Sequence, residues 1–160
     1  MAQIVVGQTV GVTGSAAITV KESMQGASLY LDFVNAQGGV GGQKIELVVL
    51  DDKFDTKLTL ENARTLIEKH GAIALFMTRG TPHTQGIVPL LDEAGVVLVG
   101  PSTGAMALHK PVSRHVFNVR APYQVEVEKA ITHLNTLGVE RIGVIHVDDS
   151  FGADALSGAL

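Results

Sequence analysis

Two clusters of small polar residues, Thr78-Arg-Gly-Thr81 and Gly100-Pro-Ser-Thr103, carry side chains suited to holding a ligand. Thr81 precedes Pro82, the residue type favoured at the first helical position because its missing N–H has no partner there anyway. A hydroxyl, free backbone N–H groups and the positive end of a helix dipole together suit an anion such as a carboxylate. The competing reading is that Thr81 only caps its helix. Ser102 and Thr103 carry the same two readings, and Arg79 either neutralises an acidic ligand or is simply solvated. Each cluster ends an apolar run, Ile73 to Phe76 and Val96 to Val99, with no polar alternation. Such runs suit strands covered on both faces by helices. Parallel strands joined by a crossover helix finish at one edge of the sheet, so Thr81, Ser102 and Thr103 are expected to converge on one rim.

Other chemistry is poorly supplied. Asp51-Asp52 and Asp148-Asp149 each end a strand and precede a helix, which makes capping the expected role. The six histidines form no i, i+4 pair or cluster, so no metal site is expected. With no cysteine in the chain, a disulfide framework and a thiolate nucleophile are both excluded. A net charge of -4 without a basic run argues against nucleic acid or an anionic membrane as partner. At 160 residues and 46% hydrophobic the chain can bury one ordinary core, and no stretch approaches the roughly twenty apolar residues that span a bilayer. Gly7-x-x-x-Gly11-x-x-Gly14 after a strand, with Asp51 ending the next, raises an NAD(P)-dependent oxidoreductase of Rossmann type as an alternative. The spacing is not G-x-G-x-x-G, and the acid lies well beyond the expected interval. No cofactor and no enzymatic activity are therefore expected.

The elements that must position the clusters follow from periodicity. Gln3 to Thr9 reads as a first strand, and a helix near Glu22 places Met24, Ala27, Leu31 and Val34 on one face, with Thr19 and Glu22 as a capping box. Gly38-Gly-Val-Gly-Gly42 ends that helix. Ile45 to Leu50 is a second strand, and Asp55 caps a helix with Leu60, Ala63, Leu66 and Ile67 inward. After the central unit come a short helix from Thr103, a strand His115 to Val119, and a helix with Val127, Ala130, Ile131 and Leu134 on one face. Arg141 to Val147 reads as a further buried strand before a last helix. The expected class is α/β, a parallel sheet with helices on both faces. Phe151 to Leu160 has no later element to pack on, so the chain is expected to be a fragment, or to be completed by pairing or swapping with a second chain.

Several motifs together resemble the branched-chain amino-acid (Leu/Ile/Val) type of periplasmic substrate-binding protein, the type I solute receptors of ABC importers. They are Ala27 to Gly42 with its Asn35-Ala-Gln-Gly-Gly-Val-Gly-Gly42 turn, the strand ending Asp51-Asp52, Pro89-Leu-Leu-Asp-Glu-Ala-Gly-Val96 and Phe117-Asn-Val-Arg-Ala121. The resemblance covers essentially the whole chain. It implies two lobes closing on a small carboxylate-bearing ligand, an amino acid or an aromatic or aliphatic acid, with residues 1–120 as the first lobe and 121–160 as the start of a truncated second. The chain's departures from the family pattern tilt the expectation toward acids other than branched-chain amino acids, aromatic ones included. It implies a periplasmic location with the signal peptide removed, and a membrane permease as partner. It adds Tyr123 at the hinge and Phe151 beside the ligand as binding residues, each with packing as the competing role. The chain departs from the family pattern at Phe54 and Gly80, which stand where a disulfide is common. Gly104 stands where a threonine often holds the ligand's ammonium, and Ala121-Pro-Tyr123 replaces an acidic residue after the hinge. An effector domain of a transcription regulator with the same fold is the remaining alternative.

Overall fold

The computed structural model describes residues 3–160. Five strands, β1 (Ile4–Val10), β2 (Ile45–Asp51), β3 (Ala74–Phe76), β4 (Val97–Val99) and β5 (Val116–Phe117), pair in parallel in the order β2-β1-β3-β4-β5. Parallel neighbours need crossovers. These are α1 (Ala17–Ala36), α2 (Thr56–Glu68) and α3 (Thr81–Ala94), while a 3-10 turn at Met106–Leu108 lies between β4 and β5. The order reverses at β1, and right-handed crossovers in the two directions put α1 on the face opposite α2 and α3. This is not the 3-2-1-4-5-6 order of the dinucleotide-binding fold. Gly7 lies inside β1, where a Cβ would come within 2.9 Å of Leu66 Cβ. It is a packing glycine beneath α2, not part of a phosphate loop.

The main core joins Ala63 and Leu66 of α2 and Ile87, Leu90 and Leu91 of α3 to Leu75 and Leu98 of the sheet. A smaller cluster on the other face joins Val20 of α1 to Val10 and Ala16, with Met24 and Val49 packed against it. Strand alternation directs Phe76, Val99 and Phe117, which are register partners, to that second face. There α1 does not reach, and Phe117 is 53% exposed.

The spacing of Met24, Ala27, Leu31 and Val34 is borne out, since all four are half-buried along α1. The capping box is not. The helix starts at Ala17, and the Thr19 hydroxyl, already inside it, donates back to the Ala16 carbonyl at 3.1 Å. The glycine run ends α1 as expected. Gly39, at φ 74°, comes so close to the Gln43 carbonyl that no Cβ fits. Asn35 then clamps the entry to β2, accepting from the Ile45 N–H and donating to its carbonyl, both at 2.8 Å. Asp55 caps α2 as its position predicts, accepting from the N–H groups of Lys57 and Leu58.

Beyond the sheet lie α4 (Tyr123–Thr136) and α5 (Ser150–Ser157), packed on each other. Val127, Ile131 and Leu134 are half-buried, whereas Ala130 is exposed. The buried strand expected at Arg141 to Val147 does not form. The segment is unpaired and exposed, with Val144, Ile145 and Val147 open to solvent. A strand exists only through a hydrogen-bonding neighbour, and none is present among the described residues.

Candidate functional site

Loops that follow the C-terminal ends of four strands line one cavity of about 400 Å³. Phe54 comes from the loop after β2, Arg79 to His83 from the β3–α3 corner, Ser102 from the end of β4, and Arg120 and Tyr123 from the segment after β5. Val147, Asp149 and Phe151, around the start of α5, complete the lining. The edge beyond the carboxyl ends of the strands is where open α/β sheets bind ligands, and the volume is that of a small-molecule site.

The two polar corners are neighbours. The Ser102 N–H donates to the Thr78 carbonyl at 2.7 Å, and Arg79 and Ser102 form a parallel backbone bridge. The Thr81 and Thr103 hydroxyls share a hydrogen bond of 2.7 Å. That bond also decides what each residue offers. Thr103 is fully buried, lies behind the cavity wall, and accepts a second bond from the Ala105 N–H. Thr81 borders the cavity but is 1% exposed, with its hydroxyl committed to Thr103. Thr81 is not the helix cap either. Gly80, at φ 92°, precedes the first turn, and no side chain caps it. Pro82 has no N–H and the Thr84 N–H is given to the Gly80 carbonyl, so the uncapped first-turn donors of α3 are those of Thr81 and His83. Ser102 is half-buried on the lining, with no side-chain hydrogen bond among the described residues.

Arg79 is likewise half-buried on the lining and forms no ion pair among the described residues. Arg120 is committed. Its guanidinium donates to both carboxylate oxygens of Glu126 at 3.1 and 2.8 Å, and lies 4.7 Å from the Tyr123 ring centroid. The bond to Glu126 raises the Arg120 pKa above its ordinary value and lowers that of Glu126. Tyr123 and Phe151 meet edge to face at 5.1 Å, so the two aromatic candidates sit together on the lining. Asp149 caps α5 through Oδ1, which accepts from the N–H groups of Phe151 and Gly152 at 2.9 Å. Gly104 packs under the chain at Ala121 and Tyr123 so closely that a Cβ would strike the Ala121 carbonyl. The Tyr123 N–H donates to the Gly104 carbonyl at 2.7 Å. Backbone thus fills the space a threonine side chain would take.

His83 lines the cavity from the β3–α3 turn, where its place in the sequence marks it, whereas Phe54 was not expected as a lining group. The signal was topological: β2 ends at the same edge as β3 and β4, so its following loop also reaches the rim. Asp52, read as a cap, is instead buried under that loop, accepting from the hydroxyls of Thr9 and Thr59 and the Phe54 N–H. Among the described residues no group of three or more His, Asp or Glu is placed to hold a metal ion.

The family model described as periplasmic binding protein matches residues 3–160. The chain belongs to the periplasmic binding protein family. An amino acid binding protein of Pseudomonas aeruginosa is 29% identical over 153 residues, 95% of this chain and 41% of that protein. A substrate-binding periplasmic protein from Ralstonia solanacearum superposes with a TM-score of 0.93 at 37% identity, over 98% of this chain and 44% of that one. A possible leucine/isoleucine/valine-binding protein from Rhodopirellula baltica gives 0.92 at 27% identity, over 98% and 42%. The chain thus spans less than half the length of the relatives it matches. Membership of the periplasmic binding protein family places the protein outside the cytoplasm.

Proposed function

We propose that this chain is the N-terminal part of an extracytoplasmic solute receptor of an ABC importer, akin to the Leu/Ile/Val-binding type. Residues 1–120 form its first lobe and 121–160 begin its second. The receptor performs no catalysis. It takes a small carboxylate-bearing molecule, an amino acid or another organic acid, and its closed form is read by a membrane permease. The observation that carries this reading is the meeting of four strand-end loops and the start of α5 around one cavity. The carboxylate is assigned to the first turn of α3, the Ser102 hydroxyl and the Arg79 guanidinium. Thr81 and Thr103 hold the two corners together through their shared hydrogen bond, and Tyr123 and Phe151 supply apolar wall.

A thermal-shift screen of the full-length gene product against amino, aromatic and aliphatic acids tests it, because a ligand that prefers the folded state raises the melting temperature. At least one acid is expected to raise the melting temperature of the wild type. The double variant Arg79→Ala/Ser102→Ala is expected to lose roughly tenfold or more in affinity, the loss anticipated for charge-assisted bonds. An unchanged shift in that variant, or no shift with any acid, counts against the assignment.

A further inference from the structure

Phe54 is held in a backbone conformation that phenylalanine avoids. Lys53 and Phe54 stand consecutively at φ 53° and 61°, a left-handed region disfavoured for side chains with a Cβ. Two carboxylates hold them there. Asp51 Oδ1 accepts from the Lys53 N–H and Asp52 Oδ1 from the Phe54 N–H, each at 2.9 Å. Asp51 is further fixed by the Thr13 hydroxyl, and Asp52 by Thr9 and Thr59. Strain kept by that many bonds is most often found where it places a functional group.

What it places is an aromatic face. The Phe54 ring stacks on His83 with centroids 4.2 Å apart and 27° between planes. His83 is 4% exposed, whereas Phe54 is 37% exposed and lines the cavity. The imidazole therefore backs the wall and the phenyl ring presents it. Gly80 makes the approach feasible, since a Cβ there would lie 2.5 Å from His83 Nδ1 and 3.1 Å from Phe54 Cε2. Both ring nitrogens of His83 are buried without a partner among the described residues, and the face of the imidazole is what meets Phe54. Tyr123 and Phe151 give the same cavity a second aromatic pair.

We infer that the cavity is selective for a planar aromatic carboxylate, with Phe54, backed by His83, as the specificity-determining wall. The inference rests on the carboxylate reading above and adds to it the nature of the rest of the ligand. Aromatic groups favour stacked or edge-on neighbours over aliphatic ones of equal area, and four aromatic rings surround this space. The cationic side is equally selective. Arg79 has no ion-pair partner among the described residues, and Arg120 is neutralised by Glu126. Asp149, the one acidic lining residue, is bonded to the first turn of α5. The Arg79 guanidinium beside aromatic walls suits a carboxylate that carries a ring.

Isothermal titration of the full-length protein with benzoate, phenylacetate, isovalerate and leucine tests the inference, comparing wild type with Phe54→Leu. An aromatic acid is expected to bind the wild type more tightly than isovalerate and leucine. In Phe54→Leu it is expected to weaken roughly tenfold, and by more than isovalerate does. Should Phe54→Leu fail to fold, Phe151→Leu on the second aromatic pair carries the same expectation. Tighter binding of isovalerate or leucine, or aromatic affinity indifferent to both substitutions, overturns the inference. If that aliphatic binding is still lost in Arg79→Ala/Ser102→Ala, the carboxylate reading survives and only the aromatic one falls. Binding of none of the four acids sinks both.

Discussion

Single hydrogen bonds decide what each polar residue at the rim contributes. Ser102 and Arg79 keep free donors among the described residues, whereas Thr81 and Thr103 share one hydrogen bond and so act by tying the start of α3 to the loop after β4. Asp51 shows the same logic at the neighbouring turn. Bonds from the Thr13 hydroxyl, and then from the backbone of Lys53 and Thr13, outweigh partial burial and hold its carboxyl below the ordinary value of 3.8. A carboxyl depressed in the folded state stabilises that state above its unfolded pKa, and loses the contribution as pH falls through the depressed folded value. Below about pH 5 the melting temperature of the wild type is therefore expected to fall more steeply than that of Asp51→Asn, which cannot take up the proton. Parallel acid limbs in the two melting series would show that the turn bonds carry no such linkage. The convergence of residues 81, 102 and 103 was legible in the sequence, because parallel topology forces it. Which hydroxyl stays free was not, since that depends on distances of a few tenths of an ångström between side chains far apart in the chain.

Elements were legible wherever periodicity and punctuation agreed. The α1 stripe, the Asp55 cap and the glycine run all appear where their residue types require them. The failures have a common cause. Thr19 carries a capping residue's side chain but sits inside a helix that had already begun, and a hydroxyl there bonds backward to the preceding turn. Arg141 to Val147 carries a strand's composition, yet composition cannot supply the neighbour a strand needs. This segment, Val99 and Phe117 at the sheet edge, and Leu29, Tyr30 and Phe33 of α1 all leave large apolar side chains open to solvent, the kind of surface that marks an interaction face when it is contiguous. We therefore expect the isolated 160-residue chain to pair or swap with a second copy. Light scattering at micromolar concentration should give at least a dimer, and a clean monomer mass would contradict this.

At the scale of the whole molecule, the sheet and the segment beyond it meet at a few specific points. Tyr123 is bonded to Gly104, and the Asp154 carboxylate accepts from the Met106 N–H at 3.2 Å and from the Gln124 amide at 2.9 Å. The cavity draws its lining from both sides of this junction, residues 54–102 on one side and 120–151 on the other. A ligand held by both favours the arrangement in which both touch it, and can shift a conformational equilibrium only by that difference in contact. The overall architecture was legible because βα alternation leaves few topologies. Of the aromatic lining, Tyr123 and Phe151 were candidates through the resemblance, whereas Phe54 was not legible, because only the fold brings the loop after β2 beside them.

The most direct test of capture between two walls is isothermal titration of one carboxylate ligand into the full-length protein and into this 160-residue chain under identical conditions. The account predicts that the shorter chain, holding only the beginning of the second wall, binds on the order of tenfold or more weakly. Equal affinities would mean that the first wall alone makes the site, contradicting the two-walled cleft.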